Sequence, residues 1–238
     1  MKNNYFDYSR DITVGVLFIF PFLVMYEVLF FFHFQFQDIY IRNTADFVIR
    51  NSFNFLGFFS QFIIPFFLFF LGLFIYFFKI KKNKKFKIIR SYMFLMIFEG
   101  LLYGLLLSLI FNDINYFQFN TNIHQSNFLL NTYLSIGAGI WEETLFRLLL
   151  LNFFIFVLFK IFSDSSYFNI LLAMFFSSII FSLFHYIGAD AEQFNWYIFY
   201  IRFLAGILLS LIYYYRGYGV VSVTHIIYDF ILVALPLI

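Results

Sequence analysis

No cysteine occurs among the 238 residues. Disulfides, thiolate metal sites and cysteine-nucleophile chemistry are therefore excluded. Charge is scarce as well: Asp, Glu, Lys and Arg make up 12% of the chain, against about 25% in a soluble domain. There is no repeat with a period of 20–50 residues, no Pro- or Ser-rich linker, and no polar stretch that reads as a soluble appendage. The first apolar run lacks a dominant basic flank and a small-residue cleavage site, and its core is too long for a cleavable signal peptide. It reads as a signal anchor.

What fills the chain instead is apolar bulk. Hydrophobic residues make up 63%, with 44 phenylalanines, and the mean hydropathy is +0.87. The wealth of Phe, Asn, Ile, Lys and Tyr fits an AT-rich genome better than an aromatic binding box. Runs that reach the roughly 20 helical residues needed to span a bilayer lie at Thr13–His33, Gly57–Phe78, Ser91–Phe111, within Leu129–Phe162, and at Phe168–Ile187, Trp196–Tyr215 and Gly219–Leu237. These predict an all-α, polytopic integral membrane bundle of about seven transmembrane helices, within a range of six to eight. The fourth run would be roughly 50 Å long as one helix, too long for an untilted crossing, and Gly137–Gly139 ("GAG") is the expected break. Residues 1–128 form N-terminal spans and 129–238 a motif-bearing core, within one membrane domain.

Leaving out His33 at the end of the first span, nine ionisable residues fall inside these spans: Glu27, Glu99, Glu142, Glu143, Arg147, His185, Arg202, His225 and Asp229. Each charge at mid-membrane costs about 2.5–3.5 kcal/mol on insertion scales, so such residues face one another or a wet cavity. Glu143 and Arg147 are four apart in the favoured order and can pair on one helix face. Glu142 lies about 100° around an α-helix from Glu143, which frees it for chemistry. Phe181 and His185 repeat the four-residue spacing, as do His225 and Asp229. A carboxylate in an apolar cavity can act as a general base near neutrality, and two imidazoles can orient water, donate to an oxyanion or bind a metal. Glu142, His185, His225 and Asp229 therefore suit either a metal-free, glutamate-activated water or a zinc site with an open position.

"EETLFR", "FSLFH" and "HIIYD" fit E-E-x-x-x-R, F-x-x-x-H and H-x-x-x-N/D, in that order and on separate spans. In this the chain resembles the CPBP (CAAX protease and bacteriocin-processing, or Abi) intramembrane protease family, which includes the type II CAAX prenyl endopeptidase. The resemblance covers about Ile136 to Phe230. It implies that Glu142 activates the attacking water with help from His185, and that His225 and Asp229 stabilise the oxyanion side. Glu143, Arg147 and Phe181 support them. Asp229 stands where many members have Asn, and an ionised Asp would oppose an oxyanion unless it is protonated or serves to orient His225. The implied reaction is hydrolysis of peptide bonds in membrane-associated or lipidated (CAAX-like) peptides, with no cofactor required in the favoured reading and zinc in the other. Partners would be that substrate and the lipid bilayer, not nucleic acid. The rival readings are a catalytically silent scaffold or bacteriocin-immunity factor, and a transporter, which would use Glu27, Glu99 and Arg202.

Straight spans leave one conflict. Glu142 after a break and His185 late in its helix fall near the outer ends of their spans, while His225, six residues after Gly219, would sit roughly 10–15 Å too far toward the inside at 1.5 Å per residue.

Lys79–Arg90 ("KIKKNKKFKIIR") carries seven basic residues and no acidic one. By the positive-inside rule it is cytoplasmic. Seven spans then put the N-terminus inside, in what the resemblance suggests is a bacterial cytoplasmic membrane. A tag at Asn83 should be reached by an impermeant reagent only after lysis; labelling of intact cells would reverse the orientation.

Overall fold

The computed structural model describes residues 4–31, 42–53, 70, 74, 88–111, 128–162, 167–187 and 193–234. Nearly all of the expected span Gly57–Phe78 and of the basic segment 79–90, and the acidic residues Asp190 and Glu192, lie outside the described residues. Eight helical segments appear among those described, and no strand. They are α1 (Tyr5–Arg10), α2 (Ile12–Leu29) and α3 (Thr44–Asn51), then α4 (Arg90–Ile110). The core follows as α5 (Phe128–Ile161), α6 (Tyr167–Phe184), α7 (Trp196–Arg216) and α8 (Tyr218–Ala234). By length and composition α2, α4, α5, α6 and α7 can cross a membrane, and α8 is a shorter apolar helix. The protein is an all-α polytopic helix bundle.

Gly137–Gly139 does not break the chain. Residue 137 keeps α-helical backbone (φ −58°, ψ −47°), and α5 runs unbroken for 34 residues. Its middle, Ala138–Leu151, is wound as a π-helix. The glycines serve contact rather than termination. A Cβ on Gly139 would lie 2.6 Å from the Ser222 carbonyl oxygen and 2.7 Å from the Ile226 nitrogen, so only glycine lets α5 come this near α8. The depth conflict is relieved for Glu142, which sits near the middle of α5 rather than at an outer end, while His185 stays at the end of its helix.

Helix α8 is the hub, and ten residues from Tyr218 to Tyr228 are buried. Gly217, at φ +85°, turns the chain from α7 into α8. That left-handed conformation favours glycine, and a Cβ there would also meet the backbone at Arg10, 2.8 Å from its Cα. Along α4, Met96, Gly100 and Gly104 face Gly219, Val223 and Ile227 in turn, so the two helices run parallel. Gly100 and Gly104 form the small-xxx-small pattern that lets membrane helices approach closely. Helix α5 runs the other way, with Gly139 beside Ser222 and Ile226 and with Thr144 beside Tyr218. Ser177 of α6 donates to the Phe146 carbonyl (2.8 Å), and Ser182 donates to the Phe199 carbonyl of α7 (2.7 Å).

Two of the charged residues outside the motifs have fixed partners. Glu99 of α4 pairs with Arg216 at the end of α7 and accepts from Tyr5 (2.6 Å). This pins α1 onto the bundle. Burial, and then the Glu99 carboxylate, push the Tyr5 hydroxyl well above its ordinary value. Glu27 pairs with Arg42 and Arg50 beside α3.

Gly104→Val tests the α4–α8 contact. The new Cβ would lie 2.7 Å from the Ile227 Cβ and 2.9 Å from the Thr224 carbonyl oxygen. The helices must separate, at a cost of about 1–3 kcal/mol, read as a lower thermal midpoint in detergent. An unchanged midpoint would mean that the two helices do not meet here.

Candidate active site

The site forms where the middle of α5 faces α8. Glu143 and Arg147, both fully buried, make the expected pair, with Nη1 donating to Oε1 at 2.9 Å. The Arg147 guanidinium also lies over the Phe181 ring (4.3 Å to its centroid), and Nη2 points to the Gly206 carbonyl at 3.4 Å. One arginine thereby links α5, α6 and α7.

Glu143 does more than pair with Arg147. Its Oε1 also lies 2.6 Å from His225 Nδ1. An ion-paired carboxylate accepts hydrogen bonds, so Nδ1 carries the proton and Nε2 turns the other way. There it faces Asp229 Oδ2 at 3.6 Å and Glu142 Oε2 at 3.9 Å. Both distances are too long for a direct hydrogen bond and suit an intervening water.

Glu142 stays clear of the Glu143–Arg147 pair, yet it does not face a different element: it lies toward the other nitrogen of the same imidazole. Both carboxylates reach the same imidazole. An i→i+5 helix takes more residues per turn than the α-helix, so successive side chains diverge by less than 100°. The π-wound middle of α5 therefore lets neighbouring glutamates straddle one ring. Glu143, not Asp229, holds His225 by Nδ1.

His185 follows the last turn of α6 and is partly buried. Its Nδ1 lies 3.0 Å from the Phe181 carbonyl oxygen, which can only accept, so this nitrogen too carries a proton. The Phe181 ring packs edge-on against both imidazoles, at 5.2 Å from His185 and 6.1 Å from His225. Glu142, His225 and Asp229 thus share one small volume, and Phe181 joins His185 to it. Among the described residues, no group of three or more His, Cys, Asp or Glu side chains is disposed to hold a metal ion.

Sequence reasoning missed Asn43, whose Nδ2 donates to Glu142 Oε1 at 2.9 Å. It comes from the start of α3, and "RNTAD" was the available signal: an Asn where a helix N-cap belongs.

Fold and site together define a class, a helical membrane protein with carboxylates gathered around a buried imidazole between two helices. Residues 124–231, somewhat under half of the chain, match the family model of type II CAAX prenyl endopeptidase Rce1-like proteins. The match supports membership of the CAAX protease family and, in general terms, an intramembrane protease of CAAX type. It takes in every motif residue from Glu142 to Asp229 and leaves α1 to α4 outside. No curated protein and no solved structure matches the chain.

Removing Arg147 should expose how far Glu143 depends on it. Arg147→Met leaves a buried carboxylate short of a partner and is expected to cost about 3–5 kcal/mol. Adding Glu143→Gln should then cost less than the sum of the single changes. Unfolding in detergent checks this, and strictly additive losses would show the two groups to be uncoupled.

Proposed function

We propose that the protein hydrolyses peptide bonds of membrane-associated or lipidated peptides with a water activated by Glu142. The observation that carries this reading is the gap at His225 Nε2, bounded by Glu142 Oε2 at 3.9 Å and Asp229 Oδ2 at 3.6 Å. A water there can pass a proton to Glu142 as its oxygen attacks the scissile carbonyl carbon. His225, held through Nδ1, in its protonated form donates from Nε2 to the oxyanion. Collapse of the tetrahedral intermediate breaks the C–N bond, and Glu142 returns the proton to the leaving amine. Asp229 fits this scheme as the neutral acid, since an ionised one would oppose the oxyanion. His185, oriented through the Phe181 carbonyl, helps place the water or the substrate. Substrate would enter from the bilayer, with the N-terminus and segment 79–90 on the cytoplasmic side of a bacterial membrane.

For the transporter reading, Glu27 and Glu99 are held in pairs with arginines away from the carboxylate–imidazole cluster. A silent scaffold or immunity factor would keep the geometry without turnover.

The test is cleavage in proteoliposomes of prenylated, otherwise lipidated and bacteriocin-leader peptides, with and without a strong chelator. Glu142→Gln should lower kcat at least about 100-fold, within the range of general-base catalysis, at unchanged expression. Activity that falls with chelator and returns with zinc would transfer water activation to a metal. Wild-type activity in Glu142→Gln would remove the proposed base.

A further inference from the structure

We propose that Asn43 is a positioning residue that fixes Glu142 by one carboxylate oxygen and leaves the other to the water. The inference rests on the hydrolytic reading above, and its geometry comes from a part of the chain outside the family match.

Asn43 has two side-chain contacts of opposite sense. Its Oδ1 accepts from the Ala45 backbone N–H (2.9 Å), capping α3. Its Nδ2 donates to Glu142 Oε1 (2.9 Å). A backbone N–H can only donate, so the cap fixes which end of the amide faces Glu142. With Oε1 held, the oxygen turned toward His225 Nε2 is Oε2.

The helix that presents Asn43 is itself braced. Asp46 accepts from Arg50 Nε (2.5 Å), Arg42 Nη1 (3.0 Å) and the Tyr26 hydroxyl (3.1 Å). Both arginines also reach Glu27 of α2. Burial works against the Arg42 charge, but Glu27 and Asp46 outweigh it and hold the guanidinium above its ordinary value. On the other side, Gly137 opens the space. A Cβ there would lie 2.6 Å from the Tyr26 ring and 3.1 Å from the Asn43 Cβ. The brace therefore joins α2 and α3 to the middle of α5, where Tyr26 packs on Tyr133 and Trp141 and the Asn43 amide reaches the Glu142 carboxylate.

Asn43→Asp and Asn43→Ser separate positioning from capping, because both keep an N-cap acceptor. An ionised Asp cannot donate, and the Ser hydroxyl is one bond too short to serve both contacts, so Ser is the decisive variant wherever Asp shares a proton with Glu142. Each should keep a thermal midpoint near that of wild type while kcat falls about 10- to 100-fold, the change expected for one hydrogen bond to a charged group, at little-changed KM. Infrared difference spectra in bilayers supply a readout independent of turnover. The Glu142 carboxylate band, assigned by its loss in Glu142→Gln, should shift in Asn43→Ser. An unmoved band overturns the proposal, as does a loss confined to KM or one that tracks a lowered midpoint. If wild type cleaves no peptide, the hydrolytic reading fails on that result. The band shift still decides whether Asn43 holds Glu142.

Discussion

Two buried charges, Glu143 and Arg147, set the terms for the rest of this structure. Neither is reached by solvent, and a charge removed from water must be paired and hydrogen-bonded to persist. Arg147 meets that demand with one carboxylate, one aromatic face and one carbonyl, drawn from three helices. Glu143 meets it through Oε1, shared by Arg147 and His225, while its Oε2 and the Arg147 Nε are buried without a hydrogen bond. The His225 contact ties α8 to α5 and aims the imidazole. One requirement of burial thus assembles the bundle and orients the site.

Close backbone approach is the second requirement. Small residues let membrane helices meet without a hydrophobic drive between them. Gly100 and Gly104 bring α4 against one face of α8, and Gly139 brings α5 against another. His225 consequently lies within reach of α5, so a side chain of ordinary length spans the interface. The lipid-facing surface has no such constraint, and large apolar residues such as Phe94, Phe98 and Leu109 stand exposed there.

Much of this was legible in the residues. Apart from Gly57–Phe78, nearly all of which lies outside the described residues, the apolar runs marked the described helices to within a few residues, and the four-residue spacings marked Glu143–Arg147, Phe181–His185 and His225–Asp229. Three things were not. The glycines at 137 and 139 looked like punctuation, because composition does not distinguish a helix breaker from a helix contact. The divergence of Glu142 and Glu143 followed from 3.6 residues per turn, and nothing in "WEETLFR" announces a wider winding. Asn43 lies 99 residues from Glu142, and only the tertiary fold joins them. Gly100–Gly104 carried a readable signal, the G-x-x-x-G spacing in "GLLYG".

The central claim is that Glu143 holds His225 by Nδ1 and so presents Nε2 to Glu142 and Asp229. Nitrogen-15 NMR of labelled histidine in bilayers tests it most directly, with His225 assigned by its loss in His225→Gln. The account predicts a protonated, strongly hydrogen-bonded Nδ1 whose resonance moves in Glu143→Gln. A His225 that carries its proton on Nε2 alone, or one indifferent to Glu143→Gln, would contradict it.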